Sequence, residues 1–280
     1  MPKTNAHDGV ALNYEVHDYT DPWKNAPVLL LQHGFGRSSR FWYNMIPYLS
    51  RFYRVVCPDL RGLGQSSRDF DLPTGITVDN YVADLVSIAD AVGARDFHYA
   101  GESLGGIIGM ALAAHHPDRV RTLSLLAAPL SISPWTQKTF AFDHSTWQDA
   151  LRLMGSKGWA AAVNTATRFP SDAEPGLLEW YGAEMGKSDV EVMIAMSRLA
   201  AVVDATPLLE NVRVPVLGLY PSGGRVTGEQ EAALRAGLTN FQLVHLSIAT
   251  HMIWTLAPAT CADHILHFMA AHDGVTCREL

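Results

Sequence analysis

Short apolar runs alternate with helical segments along the first 128 residues of the chain. Five runs have the length and continuous apolarity of buried strands, at residues 10–16, 28–32, 54–57, 97–100 and 120–126. Helical spacing of apolar residues appears instead within residues 41–49 and 78–92. Strands that are apolar on both sides are covered on both faces. The pattern therefore predicts an α/β fold, with a mostly parallel central sheet flanked by helices.

The alternation stops near Pro129 and resumes with a strand-like run at residues 214–219, a helix at 229–236 and a strand at 241–246. The intervening segment has a helical pattern and is rich in tryptophan and methionine. We predict a core domain of residues 1–129 and 212–280, with a helical lid of residues 130–211 inserted between two strands. Aromatic side chains in such a segment either hold it together or line a pocket. The candidates for a substrate pocket are Trp135, Trp147, Trp159 and Trp180.

Composition narrows the class of protein. A chain of 280 residues with 48% hydrophobic residues can bury a large core without cross-links. Its formal charge of -7, without a run of lysine or arginine, argues against nucleic-acid or anionic-lipid partners. No stretch approaches the ~20 apolar residues of a membrane helix, and the first residues lack the order of a signal peptide. We expect a cytoplasmic protein that acts on a small molecule, and leave open whether it is a homodimer.

Neither metal nor organic cofactor is predicted. The cysteines Cys57, Cys261 and Cys277 are too widely spaced for a zinc site, and their odd number does not suit a disulfide framework. The chain has no metal-ligand cluster, no glycine-rich phosphate loop and no dinucleotide fingerprint.

The most informative motif is Gly-Glu-Ser-Leu-Gly at residues 101–105. It lies between a predicted strand and a predicted helix, where a G-x-S-x-G sequence forces its serine into a strained, exposed turn. Such a turn presents a hydroxyl as a nucleophile. Ser103 is therefore the candidate nucleophile.

Four motifs in order extend this interpretation over nearly the whole chain: His-Gly-Phe-Gly at residues 33–36, residues 58–66, the serine motif, and Ala-Thr-His-Met at residues 249–252. With them the chain resembles the α/β-hydrolase superfamily, and most of all its lidded enol-lactonases, small esterases and carbon–carbon bond hydrolases. The resemblance implies His251 as general base for Ser103. It also implies an oxyanion hole formed by the backbone N–H groups of Phe35 and Leu104.

The third catalytic group is not evident. The resemblance places the triad carboxylate in the loop at residues 220–227 or near residues 129–133, and neither contains an acid. The nearest carboxylates in sequence are Asp143, Asp204 and Glu229. A Ser–His dyad, with Ser222 or a water orienting the histidine, stays open.

Structural roles are expected for other polar residues near the motifs. His33 is expected to order its own loop by hydrogen bonding. Asp59 and Arg61 resemble a turn in which an Asp–Arg pair pins the loop after a strand.

A serine nucleophile excludes dehalogenase and epoxide-hydrolase chemistry of this fold, which needs a carboxylate. We therefore expect a serine hydrolase that cleaves a carboxylic ester or lactone of a small apolar or aromatic substrate through an acyl-enzyme on Ser103. One alternative is a carbon–carbon bond hydrolase of a ring-cleavage diketone, with Arg168 or Arg198 holding the substrate carboxylate. Another is a ligand-binding protein of the same fold without turnover.

Overall fold

A computed structural model describes residues 2–164, 168–223 and 226–274 of the chain. Its centre is one eight-stranded sheet in the order β1-β2-β4-β3-β5-β6-β7-β8. The strands are β1 (Lys3–Asn5), β2 (Ala11–His17), β3 (Val28–Gln32), β4 (Arg54–Pro58), β5 (Phe97–Glu102), β6 (Val120–Leu126), β7 (Val216–Pro221) and β8 (Phe241–Leu246).

The helices lie between and after these strands. They are α1 (Ile46–Leu49), α2 (Leu72–Gly75), α3 (Val78–Ala91), α4 (Leu104–His115), α5 (Pro134–Ala141), α6 (Trp147–Val163), α7 (Pro175–Met185), α8 (Val190–Val202), α9 (Gly228–Gly237), α10 (Ile253–Leu256) and α11 (Pro258–Asp273), with 3₁₀ turns at Ser39–Trp42 and Thr206–Asn211.

The expected mostly parallel sheet is confirmed. Strands β3 to β8 pair in parallel, whereas β1 and β2 pair antiparallel at one edge. Every residue of β3, β5 and β7 is buried, which agrees with their continuous apolarity. The pattern missed β1, because a three-residue edge strand carries too few positions to show a period.

The helix expected at residues 41–49 is instead a 3₁₀ turn followed by the four-residue α1. Pro47 lies in the first turn of α1 and has no N–H to donate to a preceding turn, so one continuous helix cannot form. At the other end of the chain, α11 buries Cys261, Ile265 and Met269 and packs on α1, β6 and β7.

Helices α5 to α8 all fall between β6 and β7 in sequence. Helix α6 packs against α5, α7 and α8, so the four form one group, which we call the inserted helices. The turn between α7 and α8 contacts the loop after β3, where Ser188 Oγ donates a hydrogen bond to the carbonyl of Gly36 at 3.0 Å. In the part of the chain described, no helix combines the length and hydrophobicity of a bilayer-spanning segment.

Asp59 and Arg61 both fix the loop after β4, but they do not pair with each other as expected. Asp59 accepts hydrogen bonds from Asn13 Nδ2, the Ser39 N–H and the Gln65 N–H at 2.7 to 2.9 Å. Arg61 pairs with Asp84 and Asp8 instead, at 2.6 and 2.7 Å. The carboxylate of Asp59 is taken up by its hydrogen-bond donors, whereas α3 and the loop before β2 bring Asp84 and Asp8 to Arg61.

The turn between β5 and α4 requires glycine because backbones meet there. A Cβ at Gly105 would lie 2.5 Å from the carbonyl oxygen of Gln32, and one at Gly106 would overlap the Cβ of Ala128. Such distances are shorter than real Cβ contacts. Helix α4 can therefore lie directly against the ends of β3 and β6 only with glycine at these positions.

We expect Gly106→Ala to lower the free energy of unfolding by about 1–3 kcal/mol, because its methyl group meets Ala128 in a packed core. Gly158→Ala is the matched control: it lies inside α6 with only ordinary contacts and should gain roughly 0.5–1 kcal/mol. Urea unfolding followed by circular dichroism measures both. Equal stability of the two variants would contradict the close packing.

Candidate active site

Ser103 occupies the single residue between β5 and α4. Its backbone has φ +52° and ψ −120°, a conformation that non-glycine residues rarely adopt. The surrounding structure holds it there: the Ser103 N–H donates to the carbonyl of Leu126 at 3.0 Å, and its carbonyl accepts from the Gly106 N–H at 2.9 Å. The strain turns the side chain out of the sheet toward a cavity.

That cavity brings together residues from both halves of the chain. Its walls come from the loop after β3, the β5–α4 turn, the inserted helices and the loop after β8. It is small, about 30 Å³, against the ~10–15 Å³ that one water needs. A substrate of more than a few atoms therefore requires the walls to move. The lining includes Phe35, Arg37, Ser103, Leu104, Trp147, Arg168 and His251.

Two backbone N–H groups beside Ser103 are available to a ligand. No described residue accepts a hydrogen bond from the N–H of Phe35 or of Leu104. Leu104 is the first residue of α4, and the first N–H groups of a helix have no partner within it. The helix dipole adds partial positive charge at the same point. These donors suit a developing oxyanion.

His251 lies in the loop between β8 and α10 and is 4% exposed. Its ring meets that of Trp254 edge to face, with centroids 5.5 Å apart. The next residue, Met252, contacts the connection between α6 and α7, because its N–H donates a hydrogen bond to the carbonyl of Arg168 at 3.3 Å. The loop that carries the imidazole is therefore fixed from two sides.

None of the three carboxylates considered as a third catalytic group lines this cavity. Asp143, Asp204 and Glu229 are all exposed, and Asp204 caps its own turn by accepting from the Thr206 N–H at 2.8 Å. Ser222 is also exposed, and its hydroxyl donates to the carbonyl of Ile248 at 3.3 Å. Gly224 and Arg225 of the same loop lie outside the described residues.

His33 joins the loops after β3 and β4, as expected of a residue that orders its loop. Its Nδ1 lies 2.9 Å from the Gly34 carbonyl, and its Nε2 lies 3.1 Å from the Leu60 N–H. Both contacts are satisfied by a neutral ring with its proton on Nδ1. Burial lowers the pKa of His33 to about 4, against the attraction of Asp59. The residue therefore stays uncharged at neutral pH.

Of the four tryptophans considered for the pocket, the structure places only Trp147 in the wall of this cavity. Trp159 is buried behind it, 5.9 Å away between ring centroids, and its Nε1 donates to the carbonyl of Phe140. Trp135 is 63% exposed. Trp180 packs on Phe41 and lines a separate cavity of about 610 Å³. Helical spacing could not tell these orientations apart, because the inserted helices are partly apolar on several faces.

A buried ion pair beneath the serine was not anticipated from the sequence. Glu102, the residue before Ser103, is 1% exposed and accepts hydrogen bonds from Nε and Nη2 of Arg37 and from the Gly34 N–H. Burial raises the pKa of Glu102, and Arg37 opposes that rise. For Arg37, burial lowers the pKa but Glu102 raises it above its ordinary value. The sequence signal that could have revealed this pair is Glu102 itself, a charged residue at the end of a strand predicted to be buried.

This ion pair supports the loop that carries Phe35. Gly34 and Arg37 stand on either side of Phe35 along that loop, and both bind the same carboxylate. Arg37 also donates to the Tyr181 hydroxyl at 2.8 Å, which links the loop to α7. The carboxylate of Glu102 thus fixes the β3 loop relative to Ser103.

Comparison with known proteins gives relatives of one fold. A model of the alpha/beta hydrolase fold matches residues 27–159. A protein of Azorhizobium caulinodans named "Putative carbamate hydrolase RutD" is 39% identical over 277 residues, covering 96% of this chain and 98% of the relative. Proteins of the same name from Stutzerimonas stutzeri and Klebsiella pneumoniae are each 31% identical, and this chain spans only 57% and 61% of their lengths.

Solved structures agree on the architecture. The enol-lactonase of Burkholderia xenovorans superimposes with a TM-score of 0.84 at 23% identity, covering 96% of this chain and all of that one (100%). A thermophilic esterase of Thermogutta terrifontis gives a TM-score of 0.82 at 21% identity, covering 97% of this chain and 99% of its own. At these identities the likeness shows a shared fold only.

We expect Arg37→Met to lower the free energy of unfolding by about 3–5 kcal/mol, because it leaves the Glu102 carboxylate buried without its cation. Arg152→Met removes an exposed pair with Asp149 and should change stability by about 1 kcal/mol or less. Adding Glu102→Gln to Arg37→Met should recover part of the loss, since the uncompensated charge is then gone. Denaturant unfolding measures the free energy of unfolding of both single variants and of the double variant. A loss in the double variant equal to the sum of the losses in Arg37→Met and Glu102→Gln would refute this explanation.

Proposed function

Because this chain belongs to the α/β-hydrolase fold family, we propose that it is a serine hydrolase of small carboxylic esters or lactones. Ser103 is the nucleophile, His251 the general base, and the N–H groups of Phe35 and Leu104 form the oxyanion hole. In this proposal helices α5 to α8 act as a lid over the site, residues 130–211 forming a unit inserted in the core domain.

The first half of the reaction transfers the acyl group to the enzyme. Ser103 Oγ attacks the carbonyl carbon while His251 takes the hydroxyl proton. The carbonyl oxygen becomes an oxyanion and is held by the two N–H groups, each worth roughly 3 kcal/mol to the transition state. The carbon–oxygen bond then breaks, and His251 gives its proton to the departing alcohol. In a lactone that alcohol stays attached to the acyl group.

The second half releases the acid. His251 removes a proton from a water molecule, and the resulting hydroxide adds to the carbonyl carbon of the ester on Ser103. The same N–H groups hold the second oxyanion. Collapse breaks the bond to Oγ, and the serine recovers its proton from His251. Every proton taken in one half is returned in that half, so no cofactor is needed.

One observation carries the proposal. A serine held at positive φ, a buried histidine, and two N–H groups that no described residue engages all line one cavity. A non-catalytic binding protein does not require a serine held in a strained turn, whose cost the fold must offset elsewhere. The strain is therefore better explained by nucleophilic attack.

Carbamates are a second candidate substrate. The specific support is the printed name of the Azorhizobium caulinodans relative, which is similar over almost the full length of both chains. A carbamate ester offers the same carbonyl carbon to Ser103. Its hydrolysis would use the same oxyanion hole and differ in the groups attached to that carbon.

We expect Ser103→Ala to abolish hydrolysis of 4-nitrophenyl acetate and labelling by a fluorophosphonate, because both need the attacking oxygen. Ser145→Ala, which removes an exposed serine hydroxyl, should match the unaltered protein. Nitrophenol release and intact-protein mass measure the two effects. Equal background rates in the unaltered protein and Ser103→Ala would favour the non-catalytic alternative.

Comparison of ethyl acetate with ethyl carbamate separates the two substrate classes. Both share an ethanol leaving group, so ethanol release measures the two rates on one scale. A higher kcat/KM for ethyl acetate supports the ester proposal. A higher value for ethyl carbamate, lost in Ser103→Ala, would replace it with carbamate hydrolysis.

A further inference from the structure

A second, larger cavity lies apart from the one that holds Ser103. Its volume is about 610 Å³, within the ~300–1,000 Å³ range of small-molecule sites. Its walls come from β2, from the 3₁₀ turn at Ser39–Trp42 with the start of α1, and from the first half of α7. Among the described residues, none lines both cavities. We call it the second cavity.

Two aromatic rings line the second cavity. Tyr43 and Trp180 meet with their ring centroids 4.9 Å apart and an angle of 67° between the ring planes. Buried Phe41 also contacts Trp180, at 5.3 Å between centroids. A ligand in the cavity therefore meets two aromatic surfaces that are inclined to each other. The face of an aromatic ring attracts cations.

A partly buried carboxylate lines the same cavity. Glu15 Oε1 accepts a hydrogen bond from the Ser39 hydroxyl at 3.3 Å, and Glu15 Oε2 lies 3.1 Å from His17 Nε2. The contact with His17 lowers the pKa of Glu15 below its ordinary value, although burial opposes this, and Ser39 and Arg40 add to the lowering. Glu15 is therefore a carboxylate at neutral pH.

A second carboxylate of the lining has no partner. Glu174 stands immediately before α7, where an acidic side chain can accept from the first N–H groups of a helix, but it makes no such bond. None of the hydrogen bonds or ion pairs among the described residues involves its side chain. Its charge is therefore available to a ligand.

The basic groups of the lining are engaged by other side chains. Arg40 Nε lies 3.0 Å from a carboxylate oxygen of Glu184, and His17 contacts Glu15. Even with a protonated His17, Glu174 has no cation of its own in the described part of the chain. The formal charge of -7 on the whole protein adds to the attraction for positive ligands.

The chemistry of these walls suits one kind of cation. A primary ammonium group has three N–H donors to satisfy, and both oxygens of Glu15 already have hydrogen-bond partners. A quaternary ammonium group has no N–H to satisfy, and ring faces attract it without a hydrogen bond.

We infer that the second cavity binds a quaternary ammonium group of a small molecule. The rings of Tyr43 and Trp180 contact the group, and the two carboxylates balance its charge. This inference goes beyond the proposed function and does not depend on it, because no residue of the cavity at Ser103 takes part.

Two ligands of one shape test the preference for charge. Choline and 3,3-dimethylbutan-1-ol differ in a quaternary nitrogen that a carbon atom replaces. Titration calorimetry measures both dissociation constants. We expect the Kd of choline to be lower by about tenfold or more, because ring faces and carboxylates act on the charge. Equal affinities, or no binding of choline at millimolar concentrations, would overturn the inference.

The same substitution in each cavity locates the bound group. Trp180→Leu should raise the Kd of choline by about tenfold, since the tryptophan ring binds cations more strongly than other rings do. Trp147→Leu, in the wall of the cavity at Ser103, should leave it unchanged. Melting temperatures verify that both variants are folded. Weaker binding in Trp147→Leu alone would place choline beside Ser103 and overturn the inference.

Exposed positions keep the test independent of folding. Tyr43 is 51% exposed and Glu174 is exposed, so Tyr43→Leu and Glu174→Gln leave the core intact. Each should raise the Kd of choline by about threefold or more. Trp23→Leu and Glu210→Gln change exposed residues that line neither cavity and should have no effect. An unchanged Kd in both Tyr43→Leu and Glu174→Gln would contradict the proposed site.

The variant Ser103→Ala separates this inference from the proposed function. It should bind choline with the Kd of the unaltered protein. Choline binding that persists in a protein without any hydrolytic activity would refute the proposed function alone. Ser103-dependent hydrolysis without choline binding would refute this inference alone.

Discussion

The close approach of three backbone segments at the end of β5 is the constraint on which the rest of the structure depends. A side chain at Gly101, Gly105 or Gly106 would meet backbone or Ala128 atoms at distances that real Cβ atoms do not reach. Because these positions carry only hydrogen, α4 can start directly at the carboxyl end of β5. Ser103 then has to take positive φ, and its side chain is left facing the cavity.

A buried ion pair of Glu102 with Arg37 lies beside that turn. A carboxylate at residue 102 is next to the proposed oxyanion hole, where a negative charge opposes the developing one. Arg37 neutralises it through two hydrogen bonds, and the Gly34 N–H uses a further lone pair. The arrangement therefore serves as a fixed support for the β3 loop without leaving net negative charge near the N–H groups of Phe35 and Leu104.

The inserted helices complete the site from the other side. Trp147 and Arg168 come from this part of the chain, and Tyr181 on α7 joins both arginines. Polar contacts join these helices to the core: the Tyr181 hydroxyl accepts a hydrogen bond from Arg37, and Glu184 of α7 forms an ion pair with Arg40.

The hydrophobic pattern and the serine motif determined the fold class, the parallel sheet and the candidate nucleophile Ser103, because strand burial and a serine turn are local properties of the chain. His251 became a candidate only through the resemblance to a known family. The same pattern could not distinguish Trp147 from Trp135, Trp159 and Trp180, since which face of a helix meets the cavity depends on how the inserted helices pack. Only the tertiary structure decided that Glu102 pairs with Arg37, that Arg61 pairs with Asp84 and Asp8, and that Arg168 has no described acid. The paired residues are 23 to 65 positions apart along the chain. Whether a buried charge finds an opposite charge depends on distances in the folded structure, which positions in the sequence do not give.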